Sequence, residues 1–396
     1  MKNKPYIDRV SVERAFYAKI RRIGLIHLEL TERCNNNCRH CYINRPHEDP
    51  KAIKKELSTN AVKKYLAEFA SFGWFVVRFT GGEPLLRDDF EELYISAREL
   101  GFKVVLSTNA TLITERLAGL FKRMPLLEEV DVTLYGMRRA SYESVTRVPG
   151  SFDAAMRGIS LLRKNKIPFL ANLAVLSSNK NDIPGFRKWF SKIFPANRYP
   201  VINASFDLHI RRNPLKNDCI RNIRFSPEES LRVLPPQKPI FIMNMRAALQ
   251  GREPGRRLFS CGAGKGGLCL DPYGKLYPCV SLRHPETEYD LKNGSIGDAY
   301  NRFFPAMRRR SAGSVLLARC SRCFLKPACG QCPGKSWMEN GDLRSPAQYF
   351  CGKAHAQAVY FGLLREGEKS WEVKDWRARV KKFLKGEMNE TDSGIG

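Results

Sequence analysis

The residues with the clearest capacity for chemistry are the twelve cysteines, which fall into two separate fields. Three lie in the stretch Cys34-Asn-Asn-Asn-Cys38-Arg-His-Cys41, eight lie between Cys261 and Cys351, and Cys219 stands alone. The first ten residues lack the apolar core and cleavage site of a secretion signal, so we expect a cytoplasmic protein. Because cytosolic thiols are kept reduced, clustered cysteines there bind metal or act in catalysis. The sequence therefore predicts two metal-binding regions.

The first field offers three thiol ligands on one loop. A structural zinc site normally uses four protein ligands, and His40 could supply the fourth. A four-iron cluster held by the three thiols would instead keep one iron open to a small molecule. From the spacing alone, both interpretations stand.

A second motif, Gly81-Gly82-Glu83-Pro84, closes the apolar stretch 76–79. Alone it predicts a turn, where glycine lets the backbone approach a ligand closely. The CX3CX2C motif directly after a predicted strand resembles the signature of radical S-adenosylmethionine (SAM) enzymes, and Gly81–Pro84 resembles their second motif. The resemblance implies that a 4Fe-4S cluster on Cys34, Cys38 and Cys41 binds the methionine part of SAM. It also implies that the backbone of Gly81, Gly82, Glu83 and Pro84 accepts hydrogen bonds from the SAM amino group.

Further contacts to SAM are implied by the resemblance near the ends of later strands. His40 matches the position that contacts adenine, whereas Tyr135 stands where many relatives have an acidic residue. The other implied contacts are the polar residues Ser107, Asn109, Thr133 and Asn172. Polar residues also end strands for reasons unrelated to ligands, and that interpretation stands beside the functional one.

These residues need a scaffold, and the sequence predicts one in which strands and helices alternate. Strands are predicted at 25–30, 76–79, 103–107, 130–134, 169–176 and 202–210, and helices at 58–71, 88–100, 114–121, 151–164 and 181–190. Such alternation favours a parallel sheet with helices outside, and right-handed crossovers would curl it. The predicted fold class is α/β, a partial (β/α)6 barrel of the TIM type followed by a small cysteine-rich iron–sulfur domain. The chemistry should lie at the C-terminal strand ends.

The chain divides into five predicted segments. They are a basic N-terminal segment (1–22), the radical SAM partial barrel (23–210), a proline-containing linker (211–255), a cysteine-rich domain (256–352) and a basic helical tail (353–396). Apolar residues of the tail between 371 and 385 recur at helical spacing. Such a helix could bind an anionic membrane or an acidic peptide, but we favour packing on the domain.

The second cysteine field closely resembles the SPASM extension that follows the barrel in many radical SAM enzymes. Its pattern is Cys261-X12-Gly274-X4-Cys279, then Cys320-X2-Cys323-X5-Cys329-X2-Cys332, then Cys351. The spacing before Cys332 is one residue shorter than usual. The stretch Asp271-Pro272-Tyr273-Gly274 predicts a turn that folds a hairpin back towards Cys279.

The resemblance implies two auxiliary 4Fe-4S clusters and therefore three clusters in total. One would be bound by Cys320, Cys323, Cys329 and Cys351. The other would be bound by Cys261, Cys279 and Cys332, with Cys269 as our choice of fourth ligand. Cys219 is the other candidate, and with neither bound that cluster would keep an open iron. Two zinc sites are the alternative, because paired CX2C motifs are also zinc signatures.

The resemblance also implies an activity. The enzyme would be an oxidoreductase that reductively cleaves SAM to a 5′-deoxyadenosyl radical, which removes a hydrogen atom from the substrate. A flavodoxin or ferredoxin would donate the electron. Many SPASM enzymes modify peptides, so we expect a peptide or small-protein substrate. Val280 stands where sulfatase-maturing relatives have an aspartate, which disfavours that activity.

Two other functions stand as alternatives. One is radical modification of tetrapyrrole side chains in haem biosynthesis, since tetrapyrrole carboxylates would suit a basic protein. The other is a non-catalytic iron–sulfur electron carrier or sensor, which would not need Gly81–Pro84 beside an open iron.

The charge and hydropathy of the chain limit the classes of partner that it can bind. The chain carries 67 Lys and Arg against 40 Asp and Glu, a formal net charge of +27. Such a surface favours acidic partners, among which nucleic acid is not excluded but not favoured. The longest apolar stretch, Phe169–Leu176, is too short to span a bilayer, so no transmembrane segment is predicted.

Overall fold

Parallel strands with intervening helices form the larger part of the computed structural model, which describes residues 24–250 and 257–387. The predicted basic segment 1–22 lies outside the described residues. The strands are β1 (Leu25–Thr31), β2 (Arg33–Cys34), β3 (Arg45–Pro46), β4 (Val76–Gly81), β5 (Lys103–Thr108), β6 (Leu127–Leu134), β7 (Phe169–Ala174), β8 (Val201–Asn203), β9 (Gly267–Leu270), β10 (Lys275–Tyr277) and β11 (Tyr289–Asp290). The α-helices are α1 (Pro50–Lys55), α2 (Thr59–Ser71), α3 (Phe90–Glu99), α4 (Glu115–Arg123), α5 (Arg139–Thr146), α6 (Ser151–Lys164), α7 (Ile183–Ile193), α8 (Pro214–Ile223), α9 (Pro227–Val233), α10 (Lys238–Leu249), α11 (Ile296–Asp298), α12 (Phe304–Arg308), α13 (Pro333–Asn340), α14 (Gln348–Tyr360) and α15 (Trp376–Lys385).

Six strands run parallel in the order β1-β4-β5-β6-β7-β8, which confirms the predicted α/β fold. Five of the six predicted strands overlap with β1, β4, β5, β6 and β7. The sixth, predicted at 202–210, is a strand only over Val201–Asn203. Phe206, Leu208 and Ile210 are buried at alternate positions beyond it. The alternating apolar residues therefore indicated burial correctly, but this segment does not pair as a strand. Helix α5 was not predicted, because its sequence is rich in residues of low helix propensity.

The two faces of the sheet differ in chemistry, because successive residues of a strand point to opposite sides. Val77 and Phe79 of β4 are fully buried in the main hydrophobic core. Arg78, between them, donates to Ser107 Oγ (2.8 Å) on β5 and pairs with Asp131 on β6. The face of the sheet opposite the main core is therefore polar here.

The segment predicted as a linker forms three helices, α8 to α10. Its prolines suggested an irregular chain, but Pro214, Pro227 and Pro239 all lie in the first turn of a helix. Proline is tolerated there because the first backbone N–H groups have no partner within the helix. The side chains of Asn213 and Ser226 cap the first two of these helices.

The cysteine-rich region continues the same sheet. Strand β9 pairs with β1 in parallel, and β10 and β11 follow as antiparallel strands. The predicted turn is confirmed, because Asp271 Oδ1 accepts hydrogen bonds from the N–H groups of Tyr273 and Lys275 (both 2.9 Å). Gly274 has a φ of +89°, a conformation that favours glycine. The pairing of β9 with β1 was not predicted, since so short a strand leaves little sequence pattern.

The tail helix α15 packs on α10 in a second hydrophobic core, which confirms the interpretation that it covers the domain. Val380 and Phe383 are buried there, and the ring of Phe241 lies 4.7 Å from that of Phe361 and 5.7 Å from that of Phe383. None of the helices in the described part of the chain is long and apolar enough to cross a membrane.

Candidate active site and cluster sites

The first three cysteines lie close together on a loop at the end of β1 and β2. Burial raises the pKa of Cys34 to about 12, and burial raises that of Cys38 well above its usual value, with further increases from the charges of Cys41 and Cys34. Two backbone N–H groups point at the sulfurs, from Asn36 to Cys34 Sγ (3.4 Å) and from Asn44 to Cys41 Sγ (3.3 Å). Three gathered thiols are the ligand set of a four-iron cluster that keeps one iron open, so the donor set fits an iron–sulfur cluster.

The glycine motif is bonded to the backbone that leads into this loop. Gly82 N donates to Thr31 O and Glu83 N donates to Arg33 O (both 2.8 Å). A Cβ atom on Gly81 would lie 2.2 Å from Thr31 O, and one on Gly82 would lie 2.1 Å from Arg33 O. The glycines are thus required by close approach to the chain's own backbone, and not only by the approach of a ligand. The two sequence motifs form one structural unit.

The side chain of Glu83 faces inward and ties this unit to β5. It is fully buried and accepts hydrogen bonds from Thr108 Oγ1 and Asn109 N (both 2.8 Å). Burial raises the pKa of Glu83 to about 7, although these hydrogen bonds oppose the shift. Asn109 Nδ2 in turn donates to Asn35 Oδ1 (2.9 Å) and lies 3.8 Å from Cys34 Sγ. Both side chains hold the cysteine loop in place.

Three of the predicted SAM contacts meet in a cleft of about 420 Å³ at the C-terminal strand ends. His40, Thr133 and Asn172 line it beside Cys41. Burial lowers the pKa of His40 to about 4, so its ring is neutral at pH 7. Within the described residues, His40 Nδ1 and Asn172 Oδ1 have no hydrogen-bond partner. Buried polar atoms normally have partners, so these two fit the presence of a ligand.

Other predicted contacts lie elsewhere around the cleft. Ser107 accepts a hydrogen bond from Arg78 on the polar face of the sheet, and it is not among the residues that line the cleft. Tyr135, which replaces an acidic residue of the relatives, packs against His40 with 5.5 Å between ring centroids. Phe206 also packs against His40, with 4.7 Å between ring centroids. The histidine therefore contacts two aromatic rings.

The cleft contains one carboxylate that the sequence did not reveal, that of Asp207. Burial raises its pKa, against the opposing charges of Lys335 and Lys353 nearby. It has no hydrogen bond or ion pair to the rest of the described chain. Lys335 lies three residues after Cys332 and Lys353 two residues after Cys351, so the carboxylate lies where the barrel meets the cysteine-rich region. Because Asp207 lies inside a predicted strand, the sequence did not indicate that its side chain would line a cleft.

Four cysteines of the second field line one small cavity of about 50 Å³. They are Cys320, Cys323, Cys329 and Cys351, the set predicted for one auxiliary cluster. Arg319 and Trp371 complete part of the wall. The convergence of four thiols from separate turns and helices fits a four-cysteine cluster.

Cys261, Cys279 and Cys332 form the other group. Burial raises the pKa of Cys279 to about 11, with contributions from the charges of Cys332 and Cys261. Cys219 is exposed on α8. In the described part of the chain, no group of three or more His, Cys, Asp or Glu side chains is arranged to hold a metal ion.

Cys269, the predicted fourth ligand, is fully buried on β9. Arg283 Nη2 donates to its sulfur (3.0 Å) and also pairs with Glu29 (2.5 Å). Burial raises the pKa of Cys269, Arg283 lowers it, and among the further influences the charge of Cys279 raises it. Cys269 is thus close to Cys279, and its sulfur already accepts a hydrogen bond from a buried guanidinium.

Comparison with known proteins agrees with this geometry. Residues 28–190 match the profile of the Radical SAM superfamily. The AdoMet-dependent heme synthase of Oleidesulfovibrio alaskensis is 34% identical over 80% of this chain and 84% of its own. The enzyme of the same name from Methanosarcina barkeri is 26% identical over 82% of this chain and 95% of its own.

Solved structures show the same fold. The structure "Native anSMEcpe with bound AdoMet" is 15% identical and covers 92% of this chain and 99% of its own, with a TM-score of 0.60. Streptococcus suis SuiB bound to S-adenosylmethionine is 14% identical and covers 87% of this chain and 83% of its own, with a TM-score of 0.54. The chain belongs to the radical SAM superfamily, as an enzyme with a cysteine-rich extension of the SPASM type behind its barrel.

Proposed function

We propose that this enzyme carries three 4Fe-4S clusters and modifies a side chain of a peptide or small-protein substrate. Cys34, Cys38 and Cys41 would hold the cluster that binds SAM, and the two groups together would supply the reductive cleavage of SAM and the radical chemistry that removes a hydrogen atom from the substrate. Membership in an enzyme family removes support from the non-catalytic alternative. A flavodoxin or ferredoxin is the proposed electron donor, and the basic surface suits its acidic character.

The residues of the cleft bind and orient SAM in this proposal. His40 presents a neutral ring with a free nitrogen, and Asn172 presents a free carbonyl oxygen. Thr133 adds a hydroxyl to the lining of the cleft, and Tyr135 and Phe206 exclude water. Gly81, Gly82, Glu83 and Pro84 offer backbone groups beside the cysteine loop. In this proposal Ser107 and Asn109 do not contact SAM. Ser107 positions Arg78, and Asn109 positions the cysteine loop.

The auxiliary clusters are assigned by proximity of their ligands. Cys320, Cys323, Cys329 and Cys351 bind one cluster. Cys261, Cys279 and Cys332 bind the other, with Cys269 as the proposed fourth ligand. The hydrogen bond from Arg283 is compatible with ligation, since a cluster-bound sulfur still accepts hydrogen bonds.

The charge of the cleft is the observation that favours a peptide substrate. Asp207 is the one charged residue among the described residues that line it, so the cleft favours a neutral or cationic side chain over a carboxylate. Asp207 is positioned to accept a hydrogen bond or a proton from that side chain. Neighbours of the same fold include SuiB bound to precursor peptide SuiA (TM-score 0.56), and Mycofactocin maturase MftC of Mycobacterium tuberculosis is 28% identical over 65% of this chain.

A second candidate substrate is a tetrapyrrole, and the sequence relatives favour it. The haem synthases cover most of this chain, and the Fe-coproporphyrin III synthase of Methanosarcina barkeri is 37% identical over 39% of it. Lys335 and Lys353 flank Asp207 and would be the cations available for tetrapyrrole carboxylates. The carboxylate of Asp207, the one charged group among the described residues that line the cleft, places this candidate second.

The reaction is tested by anaerobic reconstitution, iron analysis and assay of 5′-deoxyadenosine after addition of dithionite and SAM. We expect about twelve irons per chain and slow cleavage of SAM. The C34A/C38A/C41A variant should lose about four irons and all cleavage. Twelve irons without deoxyadenosine would contradict the catalytic proposal, and zinc in place of iron would contradict the clusters.

The substrate is tested with two probes in the same assay. Peptides encoded beside the gene and Fe-coproporphyrin III are each added, and both deoxyadenosine and the mass of the probe are followed. Faster cleavage with a mass change of a peptide supports the first candidate. The same changes with Fe-coproporphyrin III alone overturn it in favour of the second.

A further inference from the structure

A segment of the C-terminal tail lies against the four-cysteine cavity. This segment has no role in the proposed binding or cleavage of SAM. We call residues 365–371, between α14 and α15, the cap. Trp371 lines the cavity directly. Residues 365–369 and Trp371 also border a larger pocket that they share with Cys351 and Arg319.

Ser370 and Arg319 make the two shortest side-chain contacts to ligand sulfurs at this site, and His355 Nδ1 lies farther away, 3.6 Å from Cys351 Sγ. Ser370 Oγ lies 2.9 Å from Cys323 Sγ, and Ser370 is almost completely buried. Arg319 Nη2 lies 3.0 Å from Cys351 Sγ. A sulfur bound to iron has no proton and only accepts, so the serine hydroxyl must donate once the cluster is in place.

Neighbouring groups fix these two donors. Ser370 N donates to His355 Nε2 (3.2 Å), so the neutral ring carries its proton on Nδ1, which lies 2.9 Å from the carbonyl oxygen of Cys351. The guanidinium of Arg319 stacks on Trp371, 4.2 Å from the ring centroid. His355 and Trp371 are therefore positioning residues for the two donors.

The second hydrophobic core holds both ends of the cap. Phe361, Leu363 and Leu364 are buried before it, and Val380 and Phe383 are buried after it. The donors are consequently held in position by packing that does not depend on the cluster ligands alone.

We propose that the cap and Arg319 raise the reduction potential of the cluster bound by Cys320, Cys323, Cys329 and Cys351. Reduction adds negative charge to the cluster, and hydrogen bonds to its sulfurs stabilise that charge. An electron then rests more readily on this cluster. The inference rests on the proposed function only in requiring that the auxiliary clusters are bound.

The test uses the full-length C34A/C38A/C41A variant, which leaves the two auxiliary sites intact. Iron is counted first and should be about eight per chain. A potentiometric titration followed by electron paramagnetic resonance should then show two waves. Adding Ser370→Ala or Arg319→Gln should move one wave to a more negative potential and leave the other in place.

Two matched variants separate hydrogen bonding from other effects. Ser370→Thr keeps the hydroxyl and should restore the potential. Arg322→Gln removes the same charge as Arg319→Gln from an exposed position between Cys320 and Cys323, and it should move the wave less.

Several results would overturn the assignment. Unmoved waves at full iron content would show that the donors do not act on the cluster. An equal shift in Arg322→Gln would assign the effect to charge alone. Loss of about four irons in both Ser370 variants would make the cap an assembly element. Fewer than about eight irons in the background variant would instead count against the proposed auxiliary clusters, before any potential is measured.

Discussion

The cysteine loop, residues 34–41, and the four-cysteine cavity hold their thiols in different ways. Backbone bonds from distant segments fix the loop, with Asn37 N donating to Thr146 O (2.9 Å) and Arg39 N donating to Val145 O (3.1 Å). The backbone bonds around the cavity are local, such as Cys329 N to Leu325 O (2.9 Å). Its long-range contacts come from side chains, among them that of Ser370.

The difference indicates where the chain depends on metal. The cysteine loop is built on the ends of parallel strands and belongs to the main hydrophobic core. The cavity is built from turns and a tail with a smaller core of its own. A region with little core and few long-range backbone bonds gains much of its stability from the bound metal. The following predictions test this contrast.

The largest effect is expected from Gly82→Ala, which tests how strongly backbone contacts fix the cysteine loop. The new Cβ atom would lie 2.1 Å from Arg33 O and 2.8 Å from Glu32 O, so the cysteine loop must move. We expect loss of SAM cleavage and a decrease of about 3 kcal/mol in the free energy of unfolding. Deoxyadenosine assay and denaturant unfolding measure the two effects.

Gly266→Ala is the matched control, because a Cβ atom there would meet no atom within 4 Å. It should retain both cleavage and stability. Wild-type cleavage by Gly82→Ala would show that the two motifs are not one rigid unit.

The next largest effect is expected at the junction of the two regions, from Asp207→Asn. The substitution keeps the shape of the side chain but removes its charge and its ability to accept a proton. Product formation should fall about 100-fold, the scale of a lost general base, while cleavage of SAM without substrate stays unchanged. Mass spectrometry of the substrate and deoxyadenosine assay separate the two quantities.

Asp218→Asn provides the control for charge, since Asp218 is exposed on α8 beside Arg221. An unchanged product rate in Asp207→Asn would remove that residue from the substrate site.

A smaller effect is expected from removal of iron by anaerobic chelation. Amide hydrogen exchange should accelerate about tenfold more in residues 316–332 and 348–371 than in β1 and β4, because the first two segments have only a small core and gain much of their stability from the bound cluster. Equal acceleration in all four segments would mean that the barrel also needs its cluster to fold.

The sequence predicted the parts of the fold that have a local pattern. The periodic strands β1 and β4 to β7 were found. The spacing of Cys320, Cys323, Cys329 and Cys351 also predicted a group of cysteines that line one cavity, because cysteine spacing is itself a local signal. The linker helices were missed because Pro214 and Pro227 were interpreted as breaks, although both stand in a first helical turn.

Features made by distant parts of the chain were not predictable. The pairing of β9 with β1, the contact of Ser370 with Cys323, and the place of Asp207 in the cleft each join residues far apart in sequence. The reason for the glycines of the second motif was also incomplete, since the nearest atoms are carbonyl oxygens of the chain itself. A single sequence carries no direct signal for such contacts.

The smallest effects are expected from two helix caps that belong to the two regions. Ser58 Oγ accepts from Ala61 N (3.3 Å) at the start of α2, whose apolar side is in the main core. Ser226 Oγ accepts from Glu229 N (3.1 Å) at the start of α9, which packs on α14, the helix of Cys351. Each serine-to-alanine change should cost about 1 kcal/mol.

The two variants should lose stability in different regions of the molecule. Ser58→Ala should lower protection from hydrogen exchange in the barrel and leave iron retention unchanged. Ser226→Ala should lower protection around the four-cysteine cavity and speed the loss of iron to a chelator. Since the two substitutions are chemically alike, the same exchange pattern in both would show that barrel and cavity unfold as one cooperative unit, and the contrast between a sheet-built and a metal-dependent region would then be wrong.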